Sequence, residues 1–180
     1  MTTITLVTKA YHRAAEWHVE DTRKGEAEEP YINHLTEVAD LVAQATNGEE
    51  LNLIVAAVLH DAIEDTGATF EDIVREFNPG VADLVAEVTD DKSLPKEERK
   101  RRQVEAVPTK SSRAKTLKIA DKTSNLRSIL NSPPADWSQE RKLGYLQFAR
   151  AVVEGARGVS KYLETEFDET AAALAKHLNS

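Results

Sequence analysis

The chain has 180 residues, 41% of them hydrophobic, and a formal net charge of −8. This length and composition suit a soluble globular protein with one substantial core, so we expect a single domain over residues 1–180. The sequence contains no cysteine, which excludes disulfides, thiolate nucleophiles and thiolate metal sites.

The sequence carries no export or membrane signal. The N-terminal residues lack a basic stretch followed by an apolar one, and no apolar run approaches the length of a bilayer span, so we expect a cytoplasmic protein without a membrane partner. The negative net charge argues against a stable nucleic-acid partner, and the oligomeric state is left open. Residues 92–127, however, carry twelve Lys and Arg against four Asp and Glu, which suits a small polyanion.

Apolar residues recur with the period of an α-helix along most of the chain, which predicts an all-α fold. The predicted helices cover residues 4–21 and 34–46, a third from 49, a fourth opened by Thr69 in a capping box, then 81–88, a basic helix over 96–107, 111–131, 138–164 and a short helix from 169. We find no internal repeat and no linker that would separate a second domain.

The third predicted helix joins an apolar run to a polar end. Residues 51–59 are apolar nearly all round, which is typical of a helix in the middle of a protein. His60, Asp61, Glu64 and Asp65 follow directly. Because buried charges are normally tolerated only when they are paired or metal-bound, this group indicates a cation site. The alternative is a hydrogen-bonded core histidine beside a solvated acidic helix end.

Two further metal-ligand candidates lie in other segments. His34 begins the second predicted helix, and Asp121 lies in the long helix over 111–131. Asp121 shares a helix face with Lys118 three residues before it and Asn125 four residues after it, so that face combines charge, ligand and amide.

These motifs occur in an order that resembles a known family. His34, then His60-Asp61, then Asp121 resembles the metal signature of the HD phosphohydrolase superfamily, which implies these four residues as ligands of one divalent ion. The flanking segments resemble the hydrolase domain of the RelA/SpoT family, closest to its small hydrolase-only members: they are Arg23-Lys24, Pro30-Tyr31-Ile32-Asn33-His34, Ala57-Val58-Leu59-His60-Asp61-Ala62-Ile63-Glu64-Asp65-Thr66, Val88-Thr89-Asp90, and Lys118-Ile119-Ala120-Asp121-Lys122 with Asn125-Leu126-Arg127.

The resemblance implies a compact multi-helix HD-domain bundle and an enzyme. The implied reaction is hydrolysis of guanosine tetra- or pentaphosphate, (p)ppGpp, to GDP or GTP and pyrophosphate, with a divalent metal for which manganese is favoured. Glu64 and Asp65 are implied as the catalytic pair that positions and deprotonates the attacking water and protonates the leaving oxygen.

The resemblance also implies a set of substrate-binding residues: Arg23, Lys24, Lys96, Asn125 and Tyr145. Each has a structural alternative: ordinary surface cations for the first three, a surface amide for Asn125 and a core aromatic for Tyr145. The chain departs from the family ahead of Arg23, where His18-Val19-Glu20-Asp21 replaces a His-x-Gly-Gln or His-x-Asp-Gln motif.

Two other functions stay open at the level of sequence. An HD phosphohydrolase with the same metal site could act on another nucleotide, such as the 2′-phosphate of NADPH. A non-catalytic nucleotide- or RNA-binding module could instead use the basic helix over 96–107, although such charge runs are usually solvated faces.

Overall fold

The computed structural model describes residues 2–179, and these form α-helices without a β-strand, which confirms the predicted all-α fold. The ten α-helices of this part of the chain are α1 (Thr3–Trp17), α2 (Ile32–Ala45), α3 (Leu51–Leu59), α4 (Ala62–Asp65), α5 (Phe70–Glu76), α6 (Pro79–Val88), α7 (Lys96–Ala106), α8 (Ser112–Asn131), α9 (Gln139–Ala156) and α10 (Lys161–Leu178). Among them, none is both long and apolar enough to cross a bilayer. The cytoplasmic location stays a prediction.

Helix α3 lies at the centre of the bundle, as its apolar run predicts. Seven of its nine residues are buried, from Leu53 to Leu59, and the helix packs against α1, α2, α6 and α8. Burial of apolar surface stabilises the fold by roughly 25 cal/mol per Å² removed from water. Because apolar packing surrounds α3, the neighbouring helices fix its position. They also fix the position of the polar segment that follows it.

Helix α8 carries a second group of polar residues inside the bundle. It packs against α2, α9 and α10, and it buries polar residues among its apolar ones. The buried polar side chains are Thr116, Lys118, Asp121, Lys122, Thr123 and Ser124. Such groups are costly to bury without partners, so this stretch of α8 marks a polar region inside the protein in which we expect each group to have a partner.

The first helix is shorter than predicted, because α1 ends at Trp17 and not at residue 21. His18 closes the helix, with its backbone N–H donating to Ala14 O at 3.0 Å, and the Asp21 N–H then donates to His18 O at 3.0 Å. The chain therefore turns at His18, and the side chain of His18 also donates from Nδ1 to Asp21 Oδ2 at 2.8 Å.

The C-terminal helices break at a different place from the one predicted. The predicted helices over 138–164 and from 169 are in fact α9 and α10, with the break between Ala156 and Lys161. Gly158 has a φ of +91°, and Ser160 caps α10 by accepting a hydrogen bond from the Leu163 N–H. A left-handed glycine followed by a Ser cap ends a helix more strongly than apolar periodicity extends it.

The third predicted helix is divided in the structure, because the chain breaks after Leu59 and resumes as α4 at Ala62. The other helices lie where the sequence places them, to within a few residues. The capping box at the start of α5 is present, with Thr69 and Asp72 each satisfying the other's backbone N–H. Asn78 caps α6 ahead of Pro79, and the basic helix α7 begins at Lys96 as predicted.

The break between α9 and α10 gives a test by paired glycine substitutions. Gly158→Ala should lower the free energy of unfolding by about 1 kcal/mol or more, because alanine is strained at this positive φ. Gly144→Ala in the exposed middle of α9, where nothing lies within 4 Å of the new Cβ, should instead raise it by about 0.5–1 kcal/mol. Urea denaturation measures both, and a Gly158→Ala variant as stable as the parent would contradict the assigned break.

Candidate metal centre

Four side chains from three parts of the chain converge at the edge of the core. His34 lies in the first turn of α2, His60 and Asp61 lie between α3 and α4, and Asp121 lies in the middle of α8. His34 Nε2 is 3.4 Å from Asp121 Oδ1 and 3.7 Å from Asp61 Oδ2. His60 Nε2 is 3.2 Å from Asp61 Oδ2 and 3.9 Å from Asp121 Oδ1.

Both imidazoles point the Nε2 atom of the ring at these carboxylates. His60 Nδ1 is 2.8 Å from Ala57 O, and since a carbonyl only accepts, Nδ1 carries the proton and a neutral ring leaves Nε2 with its lone pair. That buried Nε2 has no hydrogen-bond partner among the described residues. The burial of His34 lowers its pKa, which favours the neutral ring that a metal requires.

The donor set fits a divalent metal. One atom each of His34, His60 and Asp121 lies within 4.8 Å of the others, and all three residues are buried. Imidazole nitrogen with carboxylate oxygen suits a divalent transition metal, and a buried, unpartnered nitrogen aimed at two carboxylates needs a cation to be satisfied. The group is therefore that of a divalent metal site.

The two carboxylates are held ionised by their surroundings. Burial by itself would raise the pKa of Asp121, but the ammonium of Lys122 and the two imidazoles outweigh it and hold the pKa well below its usual range. Burial opposes ionisation of Asp61 in the same way, and His60 and His34 overcome it, so the pKa of Asp61 is also lowered. Both residues are thus ready to bind a cation near neutral pH.

Hydrogen bonds from neighbouring residues fix the orientation of these carboxylates. Tyr31 donates its hydroxyl to Asp61 Oδ2 at 2.7 Å. Lys122 Nζ donates to Asp121 Oδ2 at 2.8 Å, and Asn125 Nδ2 donates to Asp121 Oδ1 at 2.6 Å. Partners of this kind fix the geometry of metal ligands and raise their affinity.

Glu64 and Asp65 face a different group of residues from His60 and Asp61. Glu64 Oε2 accepts the backbone N–H of Asp90 at 3.1 Å, and Arg99 Nη1 lies 3.4 Å from Glu64 Oε1. Asp65 forms an ion pair with Lys92. The acidic pair therefore takes its hydrogen bond and ion pairs from residues 90–99 and not from the metal group.

All six predicted metal and catalytic residues line one cavity of about 420 Å³. Sequence reasoning gave no role to several other residues in its wall, namely Tyr31, Asp90, Lys92, Arg99, Gln103 and Lys122, and it named Lys118 only as a charge on the face of Asp121. Lys118 and Lys122 had a visible signal, since they lie next to Asp121 and the apolar residues Leu117, Ile119 and Ala120. Lys118 is buried and donates to Val88 O at 2.7 Å, and its burial lowers its pKa.

A second cavity of about 240 Å³ adjoins the first. The two share Lys24, Tyr31, Asn125 and Tyr145 in their walls, and the second cavity adds Trp137. Every predicted substrate-binding residue lines it: Arg23, Lys24, Lys96, Asn125 and Tyr145. The structure thus brings together all eleven residues that the sequence singled out, in two connected spaces.

The loop that carries Arg23 and Lys24 is fastened to the end of α8. A Cβ on Gly25 would lie 2.3 Å from Ser132 O, so only glycine allows this approach. Ala27 N–H donates to Ser132 Oγ at 3.2 Å, and Arg23 Nη2 donates to Asn125 Oδ1 at 3.1 Å. The two cations are therefore held at the mouth of the cavities.

The basic helix α7 divides its charges between two faces. On the outer face Arg101 and Arg102 pair with Glu98, and Arg101 pairs also with Glu105. On the inner face Arg99 reaches Glu64, and the Lys96 ammonium lies 6.0 Å from the centre of the Trp137 ring. Only the inner cations face the cavities.

Comparison with known proteins places this arrangement in context. The family model for the HD domain matches residues 10–150. The chain is 44% identical to guanosine-3′,5′-bis(diphosphate) 3′-pyrophosphohydrolase MESH1 of Drosophila melanogaster over 87% of each chain, and 42% identical to MESH1 of Homo sapiens over 84% of each. A solved structure of a metazoan ortholog of SpoT, reported to hydrolyse ppGpp and to have a role in starvation responses, has a TM-score of 0.88 and 42% identity, covering 92% of this chain and 93% of that one.

The environment of Glu64 predicts how stability depends on pH. Burial raises the pKa of Glu64, and the nearby carboxylates of Asp90, Asp61 and Asp65 raise it further, against the Asp90 N–H that lowers it. A raised pKa in the folded state means that ionised Glu64 destabilises the fold, and that this loss grows as pH rises above the ordinary Glu value of 4.5. Glu64→Gln should therefore melt a few degrees higher than the parent at pH 7–8, with the difference vanishing below pH 4.5.

Thermal melts of chelator-treated protein across this pH range measure the effect. Glu97→Gln is the matched control, because the Glu97 side chain is 82% exposed and the same charge change there relieves no burial. A Glu64→Gln variant that melts below the parent at pH 7–8 would contradict this account of Glu64.

Proposed function

The chain belongs to the HD-domain family, and on that premise we propose that it is a metal-dependent phosphohydrolase that removes the 3′-pyrophosphate of guanosine tetra- and pentaphosphate. The products are GDP or GTP and pyrophosphate. The observation that carries the proposal is the pair of connected cavities, one around a buried metal-ligand group with an acidic pair and the other lined by aromatic and cationic side chains. The similarity to MESH1 proteins over most of the chain supports the same substrate.

We assign His34, His60, Asp61 and Asp121 as the ligands of one divalent ion, with manganese as the metal. Two observations support this assignment: the four ligand atoms lie close together, and neighbouring residues hold each side chain by hydrogen bonds. When bound, a divalent cation supplies Lewis acidity toward a phosphoryl oxygen and toward water.

Glu64 and Asp65 act on the protons of the reaction. Water attacks the 3′-phosphorus, a phosphorus–oxygen bond forms to the water oxygen, and the bond from phosphorus to the ribose 3′-oxygen breaks. Glu64 takes the water proton, a role that its raised pKa suits, because a base works best when its pKa lies near the working pH. Asp65 helps to position the water, and the ribose 3′-oxygen leaves with a proton supplied from this pair.

Cations that line the first cavity neutralise the phosphates. Lys118 and Lys122 lie in α8 close to Asp121, and Lys92 and Arg99 also line the cavity. Lys92 and Arg99 pair with Asp65 and Glu64 in the structure. A polyphosphate in the cavity offers both cations a stronger partner, which leaves the two carboxylates free for proton transfer.

The second cavity takes the nucleoside and its 5′-phosphates. Tyr145 and Trp137 lie 5.7 Å apart between ring centres and provide an aromatic wall for a base. Asn125 reaches the shared boundary with its amide, and Arg23, Lys24 and Lys96 place three cations around the rim. Partial desolvation and the neighbouring cations Arg141, Lys100 and Lys24 lower the pKa of Lys96, and an anionic ligand relieves this repulsion.

An RNA-binding module without catalysis fits the molecule less well. Such a module needs a continuous basic surface, but the outward cations of α7 are paired with Glu97, Glu98 and Glu105. The other two cations of α7, Lys96 and Arg99, line the two cavities instead.

Incubation with guanosine tetraphosphate, with and without added Mn²⁺, tests the proposed function. Chromatography should find GDP and pyrophosphate in equal amounts, formed only in the presence of the metal. The same assay with NADPH and with nucleoside monophosphates tests the other nucleotides. Release of orthophosphate from these substrates, with guanosine tetraphosphate left intact, would contradict the proposal.

A variant separates catalysis from metal binding. Glu64→Ala should lower turnover by about 100-fold or more, as expected for loss of a general base, while its metal content stays that of the parent. Glu97→Ala on the outer face of α7 is the control and should leave turnover unchanged. Parental turnover in Glu64→Ala would contradict the role given to this residue.

A further inference from the structure

A chain of hydrogen bonds runs behind His34, on the side away from the carboxylates. His34 Nδ1 lies 2.8 Å from Ser124 Oγ, and Ser124 Oγ lies 2.7 Å from Glu37 Oε2. Arg127 donates to Glu37 Oε1 at 3.1 Å and pairs through its other terminal nitrogen with Glu166. His34 and Ser124 are buried, and both line a small cavity of about 120 Å³ together with Glu37 and Arg127. We call Glu37, Ser124 and His34 the α2–α8 relay.

The direction of the hydrogen bonds in this relay follows from its chemistry. Glu37 forms an ion pair with Arg127, and the carboxylate of such a pair only accepts hydrogen bonds. The single hydroxyl proton of Ser124 is therefore directed to Glu37. Ser124 Oγ then accepts from His34, so the imidazole proton lies on Nδ1 and the Nε2 lone pair faces Asp61 and Asp121.

Without the relay, the opposite tautomer would be favoured in metal-free protein. His34 Nε2 lies 3.4 Å from Asp121 Oδ1 and 3.7 Å from Asp61 Oδ2, so a proton on Nε2 would have two carboxylates to interact with. That tautomer blocks the nitrogen that a metal needs. The relay works against this local preference.

We propose that Glu37 is a positioning residue that, through Ser124, holds His34 in the tautomer able to bind the metal. The inference rests on the proposed role of His34 as a ligand. It assigns a function to two residues outside the ligand set, one of which sits on a partly exposed face of α2 with no contact to the substrate cavities.

His60 provides an internal comparison. Its Nδ1 donates to the backbone oxygen of Ala57, a partner that no side-chain substitution alters. A change in the relay should therefore affect His34 and leave the tautomer of His60 as it is.

Glu37→Gln inverts the relay with almost no change in shape. Arg127 donates to one terminal atom of residue 37, which holds the amide oxygen on that side and turns the amide nitrogen toward Ser124. The amide then donates to Ser124 Oγ, and the hydroxyl proton turns to His34 Nδ1. This leaves the imidazole proton on Nε2, toward the carboxylates. Ser124→Ala, which removes the relay without inverting it, is a second variant.

Two measurements on the full-length chain test the inference. Long-range ¹H–¹⁵N correlation spectra of chelator-treated protein report the imidazole tautomers: the parent should have the His34 proton on Nδ1, and Glu37→Gln should move it to Nε2 while His60 keeps its proton on Nδ1. Titration with Mn²⁺ should give an affinity about 10- to 100-fold weaker for Glu37→Gln and for Ser124→Ala than for the parent.

Glu166→Gln is the matched control, because Glu166 is the other carboxylate on Arg127 and does not contact Ser124 or His34. It removes the same charge and should leave both tautomer and affinity as in the parent. The inference is overturned if parental His34 carries its proton on Nε2, or if Glu37→Gln changes only one of the two quantities or neither beyond the control. A parent that binds no Mn²⁺ would instead refute the proposed metal site, while the spectra still report the tautomer.

Discussion

The convergence of two imidazoles and two carboxylates at the edge of an apolar core is the constraint on which the rest of the structure depends. Ionised groups are expensive to bury without a partner of opposite charge. Here the apolar α3 places His60 and Asp61 at its end, and packing of α2 and α8 against it brings His34 and Asp121 to the same point. The core thus holds the four groups together, and a divalent cation satisfies their charge and their free nitrogen.

Around this centre, the surroundings of Glu64 lower the stability of the fold, whereas those of Asp61 and Asp121 favour their charged forms. Asp61 and Asp121 are kept ionised by nearby imidazoles and by Lys122, whereas Glu64 sits where burial and other carboxylates disfavour its charge. A residue in that setting weakens the fold at neutral pH but holds a proton more readily than a surface glutamate does. Such an environment suits the proton-transfer role that we propose for Glu64.

Sequence alone predicted the all-α fold and the central helix α3, because both are encoded in local periodicity and helix caps. The eleven residues proposed for the site came from an ordered motif and its resemblance to a family, and in the structure they line two adjoining cavities. Sequence reasoning failed where one local feature overrides another, as at Gly158 and Ser160, which end α9 inside a continuous apolar pattern. It could not find Tyr31 beside Asp61, Arg99 beside Glu64 or the Glu37–Ser124 pair behind His34. These contacts join segments distant in sequence and depend on side-chain directions that only the packed helices fix.

Metal binding to the wild-type chain and to His60→Ala tests the central claim most directly. Titration calorimetry with Mn²⁺, on samples whose helical content is matched by circular dichroism, should find one saturable site in the wild type and none in the variant. Saturable binding that survives unchanged in His60→Ala, or its absence from the folded wild type, would contradict the convergence of these four groups on a single cation.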